Sequence, residues 1–220
     1  MTVAVLAGSG LGYLAVLAAD RLSEPLWEPA EPTRPRDTYH LAETLSAMFI
    51  GAGIVILLIL TLGLTSKAIF ATVFGIALLA LSLIDLRNFV LPDILTLPLL
   101  WAGLLTNCWG YFAALQDAVI GAVIGYMSLW SIYWLFKLLR GKEGLGYGDF
   151  KLTAAIGAWL GWQALPTVVF LAAIGGFCVG LILMIAKQMD SQQPLPFGPF
   201  LASAGFITLS TNNTLWWWLF

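Results

Sequence analysis

The chain has 220 residues, of which 60% are hydrophobic and only 10% charged, at a mean hydropathy of +0.91. Soluble domains run near half apolar and about a quarter charged, so this composition reads as an integral membrane protein. A net charge of -2 and a pI near 5.2 exclude the broad basic surface that a nucleic acid partner would need. In chain order, eight apolar runs meet or approach the roughly 17–25 residues of a transmembrane helix: 2–19, 45–63, 67–85, 94–115, 117–139, 150–163, 165–187 and 198–219. The expected fold is therefore an all-α polytopic bundle of about eight transmembrane helices. The first run has no basic leader segment and reads as a retained span. The sixth is short and is expected to form a tight hairpin with the seventh around Gly161 and Pro166.

Between the first two runs lies the proline-rich, charged stretch "DRLSEPLWEPAEPTRPRDTYHLAET", which reads as a water-exposed loop. The expected organisation is residues 1–44 for the first span and this loop, without a cysteine-based zinc domain, and residues 45–220 for the membrane-embedded part. His40 is the sole histidine, and Cys108 and Cys178 form no CxxC pair. No metal site is expected, and each cysteine reads as a small core residue. With eight spans, nine of the ten Lys and Arg residues fall on one side, leaving only Lys67 on the other. The positive-inside rule then places both termini away from the cytoplasm. The terminal "LWWWLF" reads as an aromatic anchor on that far side.

Acids at membrane depth are expensive and mark function. Half of the twelve acids lie in the first loop or at its edges; Asp117 opens the fifth run and suits a helix N-cap. Asp85 ends "FGIALLALSLID", Asp93 follows Pro92 before "ILTLPLL", and Asp149 follows Gly148 before "FKLTAAIGAWL". One reading makes Asp93 and Asp149 helix caps and Asp85 an interfacial charge paired with Arg87. The other follows from topology, which puts Asp85 and Asp149 at one membrane face. Two carboxylates brought close share a proton and titrate as a unit. One takes a proton from water attacking an amide, and the other donates to the carbonyl oxygen or the leaving amine. The sequence has no HExxH, GxSxG or Walker lysine that would support a rival chemistry. In "GKEGLGYGDFKL", Gly144, Gly146 and Gly148 would let the backbone reach positive φ and let an extended peptide lie beside Asp149.

The strings "IDLRNFVLPDILTLPLLW" and "GKEGLGYGDFKL", continued by "KLTAAIGAWLGWQALP" and "PFGPFLASAG", resemble the type IV prepilin peptidase family across about residues 80 to 205. These are GxGD-type membrane aspartyl proteases of the bacterial inner membrane. They trim leader peptides from type IV prepilins and type II secretion pseudopilins. The resemblance implies that Asp85 and Asp149 are catalytic, that Asp93 and the three glycines support the loop or position substrate, and that prepilins and membrane lipid are the partners. It implies no cofactor for proteolysis. Larger family members also N-methylate the new terminus, so S-adenosylmethionine is expected only if that activity is retained here. A broader-specificity intramembrane aspartyl protease is the alternative enzyme. A non-enzymatic proton-relay subunit is the alternative class; relays string acids through the membrane, whereas these gather at one face.

Overall fold

The computed structural model describes residues 1–23, 36–141, 146–187 and 195–211. The described chain is helical throughout: α1 Thr2–Ser23, α2 Arg36–Leu62, α3 Ser66–Asn88, α4 Asp93–Asn107, α5 Leu115–Arg140, α6 Tyr147–Leu160, α7 Leu165–Ile185 and α8 Gly198–Ser210. Segments of α1, α2, α3 and α5, and the stretch Trp162–Ile185 that includes α7, are long and apolar enough to cross a membrane. The expected all-α polytopic architecture is thus the one adopted, and the protein is a membrane protein. The other three helices are shorter. At 15 residues for α4 and 14 for α6 they extend only about 22 and 21 Å, against a hydrocarbon core of roughly 30 Å.

The chain divides into two compact units, Met1–Asn88 and Phe89–Phe220. In the first, α1 and α2 pack backbone to backbone. A Cβ on Gly8 would lie 2.5 Å from the Ala52 Cα, one on Gly51 would lie 2.5 Å from the Gly8 carbonyl oxygen, and one on Gly12 would strike the Ala47 carbonyl. Gly8 and Gly12 are one helical turn apart, the spacing that brings membrane helices close when lipid offers no hydrophobic driving force. Arg87, in the last turn of α3, reaches Asp20 of α1 at 2.6 Å and Glu43 of α2 at 2.8 Å. That triad gathers one end of all three helices, as an up-down-up arrangement requires. It also corrects the expectation that Arg87 serves Asp85: the guanidinium turns to the two carboxylates of the neighbouring helices instead.

The second unit is built around α6. From Asp149 to Trp159 only Lys151 escapes full burial, because α5, α4 and α8 surround the helix. Its seam with α5 is again backbone contact, Gly121 meeting Gly157 and Gly125 meeting Thr153. Three expectations are corrected here. The fourth run does not continue to 115; α4 stops at Asn107, whose side chain holds the following turn by accepting the Phe112 and Ala113 N–H groups at 3.0 and 3.1 Å. Asp117 is not the N-cap of α5, which is Ala114; its carboxylate accepts the Trp162 indole N–H at 3.0 Å. Both cysteines are exposed rather than core, Cys108 at the C-cap of α4 and Cys178 on the outer surface of α7. The link from α6 to α7 is as tight as expected, consisting of Gly161 at φ 81° and the single 3-10 turn Trp162–Ala164. Gly144 and the "LWWWLF" anchor lie outside the described residues.

Candidate active site

Asp149 stands on the third residue of α6, not ahead of it. Gly146 is the N-cap, at φ -79° and ψ 145°, and the helix has already begun at Tyr147. Asp149 therefore caps in a different sense from the one expected. Its backbone N–H bonds the Gly146 carbonyl at 3.2 Å while its Oδ2 accepts the Gly146 N–H at 3.2 Å. This reciprocal pairing satisfies an orphan donor of the helix start and fixes the orientation of a carboxylate that is only 6% exposed. Thr153 adds a bond from its hydroxyl to the Asp149 carbonyl at 2.7 Å.

The helix that carries this acid is pinned at both ends. At the far end, Asn107 Nδ2 donates to the carbonyls of Ala158 and Trp159, both at 2.9 Å, and Trp159 Nε1 donates to the Leu99 carbonyl at 2.8 Å. Gly103 leaves the room the indole occupies. At the near end, Lys151 Nζ contacts Asp93 Oδ1 at 2.5 Å. Beside it an aromatic group packs α6 to α5: Tyr147 and Phe150 meet Tyr133 with ring centroids 5.2 and 5.7 Å apart. Lys137 Nζ donates to the Tyr133 hydroxyl at 3.0 Å, pointing back along α5 rather than away from its end.

The α5–α6 register gives the depth of the acid. Gly125 faces Thr153 and Gly121 faces Gly157, so Asp149 is level with Leu129. Leu129 lies eleven residues before the Arg140 end of α5, or about 16 Å along the helix axis. The carboxylate is recessed within the length of a spanning helix.

Asp93 is not the N-cap of α4. Pro92 holds that position, and no side chain caps the helix start. The fixed φ of proline pre-sets the turn and leaves the Asp93 carboxylate, on the first helical residue, for Lys151. The glycines also differ from expectation. Neither Gly146 nor Gly148 has positive φ, and a Cβ on Gly148 would lie 2.7 Å from the Leu91 Cβ. The space beside Gly148 is filled by the chain's own Leu91. Asp93, Gly146, Gly148 and Asp149 thus come together at the head of α6 through Lys151 and Leu91. Asp85 belongs to the first unit, where it occupies the last turn of α3 at 5% exposure. Among the described residues, no group of three or more His, Cys, Asp or Glu side chains is placed to hold a metal ion.

Comparison with known proteins bears on the same segment. The model of the type IV leader peptidase family matches residues 72–181. A protein of Burkholderia pseudomallei named prepilin leader peptidase/N-methyltransferase is 63% identical over 133 residues, covering 60% of this chain and 43% of the relative. Proteins of the same name from Aeromonas salmonicida and Pseudomonas aeruginosa are 50% and 57% identical over 180 and 132 residues. Those matches cover 82% and 60% of this chain, and 60% and 46% of the relatives. The chain spans about half the length of the curated relatives it matches. No solved structure matches it. The matched residues 72–181 make up half of the chain and include the last turn of α3, the head of α4 and all of α6, so the chain belongs to the type IV leader peptidase family.

Proposed function

We propose that the protein is a membrane aspartyl endopeptidase that removes the N-terminal leader peptide of type IV prepilins or type II secretion pseudopilins at the cytoplasmic membrane face, with Asp85 and Asp149 as its catalytic carboxylates. The observation that carries this reading is the state of Asp149. It is a buried acid, oriented by the Gly146 N–H, on a helix pinned at both ends. Burying a carboxylate is costly unless function or pairing requires it. The names of the relatives supply the substrate class. In the reaction, one carboxylate accepts a proton from the attacking water while the other, protonated, donates to the scissile carbonyl oxygen. When the resulting gem-diol collapses, the first passes its proton to the leaving amine and the second takes one back from the diol hydroxyl. Asp93 and Lys151 hold the head of α4 against α6, Gly146 and Gly148 belong to the first turn that carries the acid, and Gly144 keeps only the supporting role that the family resemblance gives it. Residues 45–220 carry the peptidase portion, which is seated in the bacterial inner membrane with both termini on the periplasmic side.

The relatives' names also include N-methyltransferase, an activity that draws its methyl group from S-adenosylmethionine. Among the described residues, Asp20 and Glu43 are each ion-paired with Arg87, at 2.6 and 2.8 Å, and methyl transfer is assigned to no residue here.

A second reading, a broader-specificity intramembrane protease, is favoured by the recess of Asp149 about 16 Å along α5. One experiment separates the two. Purified protein is incubated with a prepilin and the product N-terminus is sequenced. A single cut at the leader boundary is expected, several cuts within the apolar segment would favour the second reading, and an intact prepilin would contradict both.

A further inference from the structure

We infer that Leu91, in the "LPD" segment ahead of α4, is a positioning residue for Asp149, acting through Gly148. The inference rests on the proposed catalytic role of Asp149. Leu91 is buried at 6% exposure although it belongs to no helix. Its Cβ lies 2.7 Å, and its Cγ and Cδ1 both 3.4 Å, from where a Cβ on Gly148 would be. The nearest atom is thus the one whose place the backbone dictates, so a change of Leu91 rotamer would not relieve a methyl at 148. Residue 91 is itself restricted, because it precedes Pro92 and is held to extended conformations. Its Cβ is in effect a fixed stop.

The stop acts on the residue next to the acid. Gly148 and Asp149 are the second and third residues of α6, and the Asp149 carboxylate is oriented by the Gly146 amide within that same first turn. Two residues further on, Lys151 is held by Asp93, two residues after Leu91. Contact at 91–148 and ion pair at 93–151 run side by side, so the segment 91–93 meets the first turn of α6 at two points in matching register. The ion pair is partly exposed, 30% for Lys151 and 56% for Asp93, and gives orientation more than strength. Leu91 against Gly148 is the buried contact, and it sets how far the first turn of α6 advances.

The sign of the effect follows. An alanine at 148 must push the first turn of α6 away from residue 91, carrying Asp149 with it. Displacing a reacting group by about 1 Å costs up to about a hundredfold in rate. The loss would fall on kcat, because the reacting carboxylate has moved while the substrate-contacting surface has not been filled. If instead Gly148 were small to admit substrate, an added methyl would act on substrate binding, and residue 91 would be irrelevant to it.

Leucine 91 therefore has two diagnostic replacements. Leu91→Gly removes the stop, whereas Leu91→Ala keeps the Cβ and removes only the outer atoms. The test is cleavage of a prepilin by Gly148→Ala, Gly148→Ala/Leu91→Gly and Gly148→Ala/Leu91→Ala, with kcat and KM measured per folded, membrane-inserted enzyme. Gly148→Ala is expected to lose about tenfold or more in kcat with KM little changed. Leu91→Gly should return most of that loss, and Leu91→Ala should return little. Failure of Leu91→Gly to restore kcat, or equal rescue by both replacements, would overturn the inference. Should the Leu91→Gly pair fail to insert, Gly148→Ala alone decides: a loss confined to KM, or no loss, overturns it. Asp149→Asn, assayed alongside, keeps the two claims apart. Activity in that variant removes the catalytic reading of Asp149, whereas its inactivity with no rescue at 91 removes only the role of Leu91.

Discussion

Lys151 Nζ and Asp93 Oδ1 lie 2.5 Å apart, so the first residue of α4 is tied to the first turns of α6 by a pair of opposite charges. Because both side chains are partly exposed, the pair is worth about 0–1 kcal/mol. Its removal should loosen the head of α6 rather than unfold it. Asp93→Asn and Lys151→Gln are each expected to lower prepilin cleavage by a few-fold, with the double variant no worse than either single one. The exchange Asp93→Lys/Lys151→Asp should recover part of the loss. Rates for all four, normalised to folded protein, check this; a complete loss in Asp93→Asn would mean that Asp93 takes part in the chemistry.

Asn107, at 1% exposure, makes four hydrogen bonds, two to the far end of α6 and two to the turn that follows α4. Asn107→Ala leaves two helix-end carbonyls and two turn amides without this partner, and unsatisfied buried groups cost about 1–3 kcal/mol each. Asn107→Asp should be no better, because a carboxylate has no donor for the Ala158 and Trp159 carbonyls. Thermal unfolding in detergent micelles is expected to fall markedly for both, and a transition matching the parent protein for Asn107→Ala would contradict the assignment.

The glycines of the helix seams should separate sharply from glycines in open space. A Cβ on Gly121 or Gly157 would meet the backbone of the other helix, whereas one on Gly10 or Gly53 would meet nothing within 4 Å. Gly157→Ala must part α5 from α6 and should cost about 1–3 kcal/mol or more. Gly10→Ala and Gly53→Ala relieve an entropic cost inside helices and should gain about 0.5–1 kcal/mol. The fraction of protein eluting as a folded monodisperse species, together with its melting temperature, distinguishes the two groups.

Much of this arrangement was legible in the sequence where the signal is local. The helices follow from run length and hydropathy. The acids Asp85 and Asp149 stood out because a carboxylate at the end of an apolar run is conspicuous, and the two strings around them carried the family resemblance. The three capping expectations fail for one reason. Asp93, Asp117 and Asp149 each sit near a helix start, and propensity alone makes such a residue a cap. In the structure Pro92, Ala114 and Gly146 take the N-cap positions, and the carboxylates bond Lys151, the Trp162 indole and the Gly146 amide. The roles of Leu91, Asn107 and Trp159 depend on partners some fifty or sixty residues away, and ordinary apolar or amide side chains give no local sign of that.

Topology offers an independent check on the inner-membrane orientation. Should all eight helices cross, as the proposed orientation requires, nine of ten basic residues fall on one side, and a tag at either terminus should react only with reagents on the periplasmic side. A reporter inserted near residue 30 should be cytoplasmic. A cytoplasmic amino terminus would reverse the whole assignment, including the face at which substrate is met.

The central claim is that Asp85 and Asp149 act as one catalytic pair, and the measurement that bears on it most directly is prepilin cleavage by the asparagine variants. Asp85→Asn, Asp149→Asn and the double variant are purified, shown to be folded and inserted, and assayed with excess enzyme so that slow turnover is seen. Because groups that act as a unit are non-additive, each single variant is expected to lose cleavage as completely as the double one. Substantial cleavage by either single variant would contradict the account.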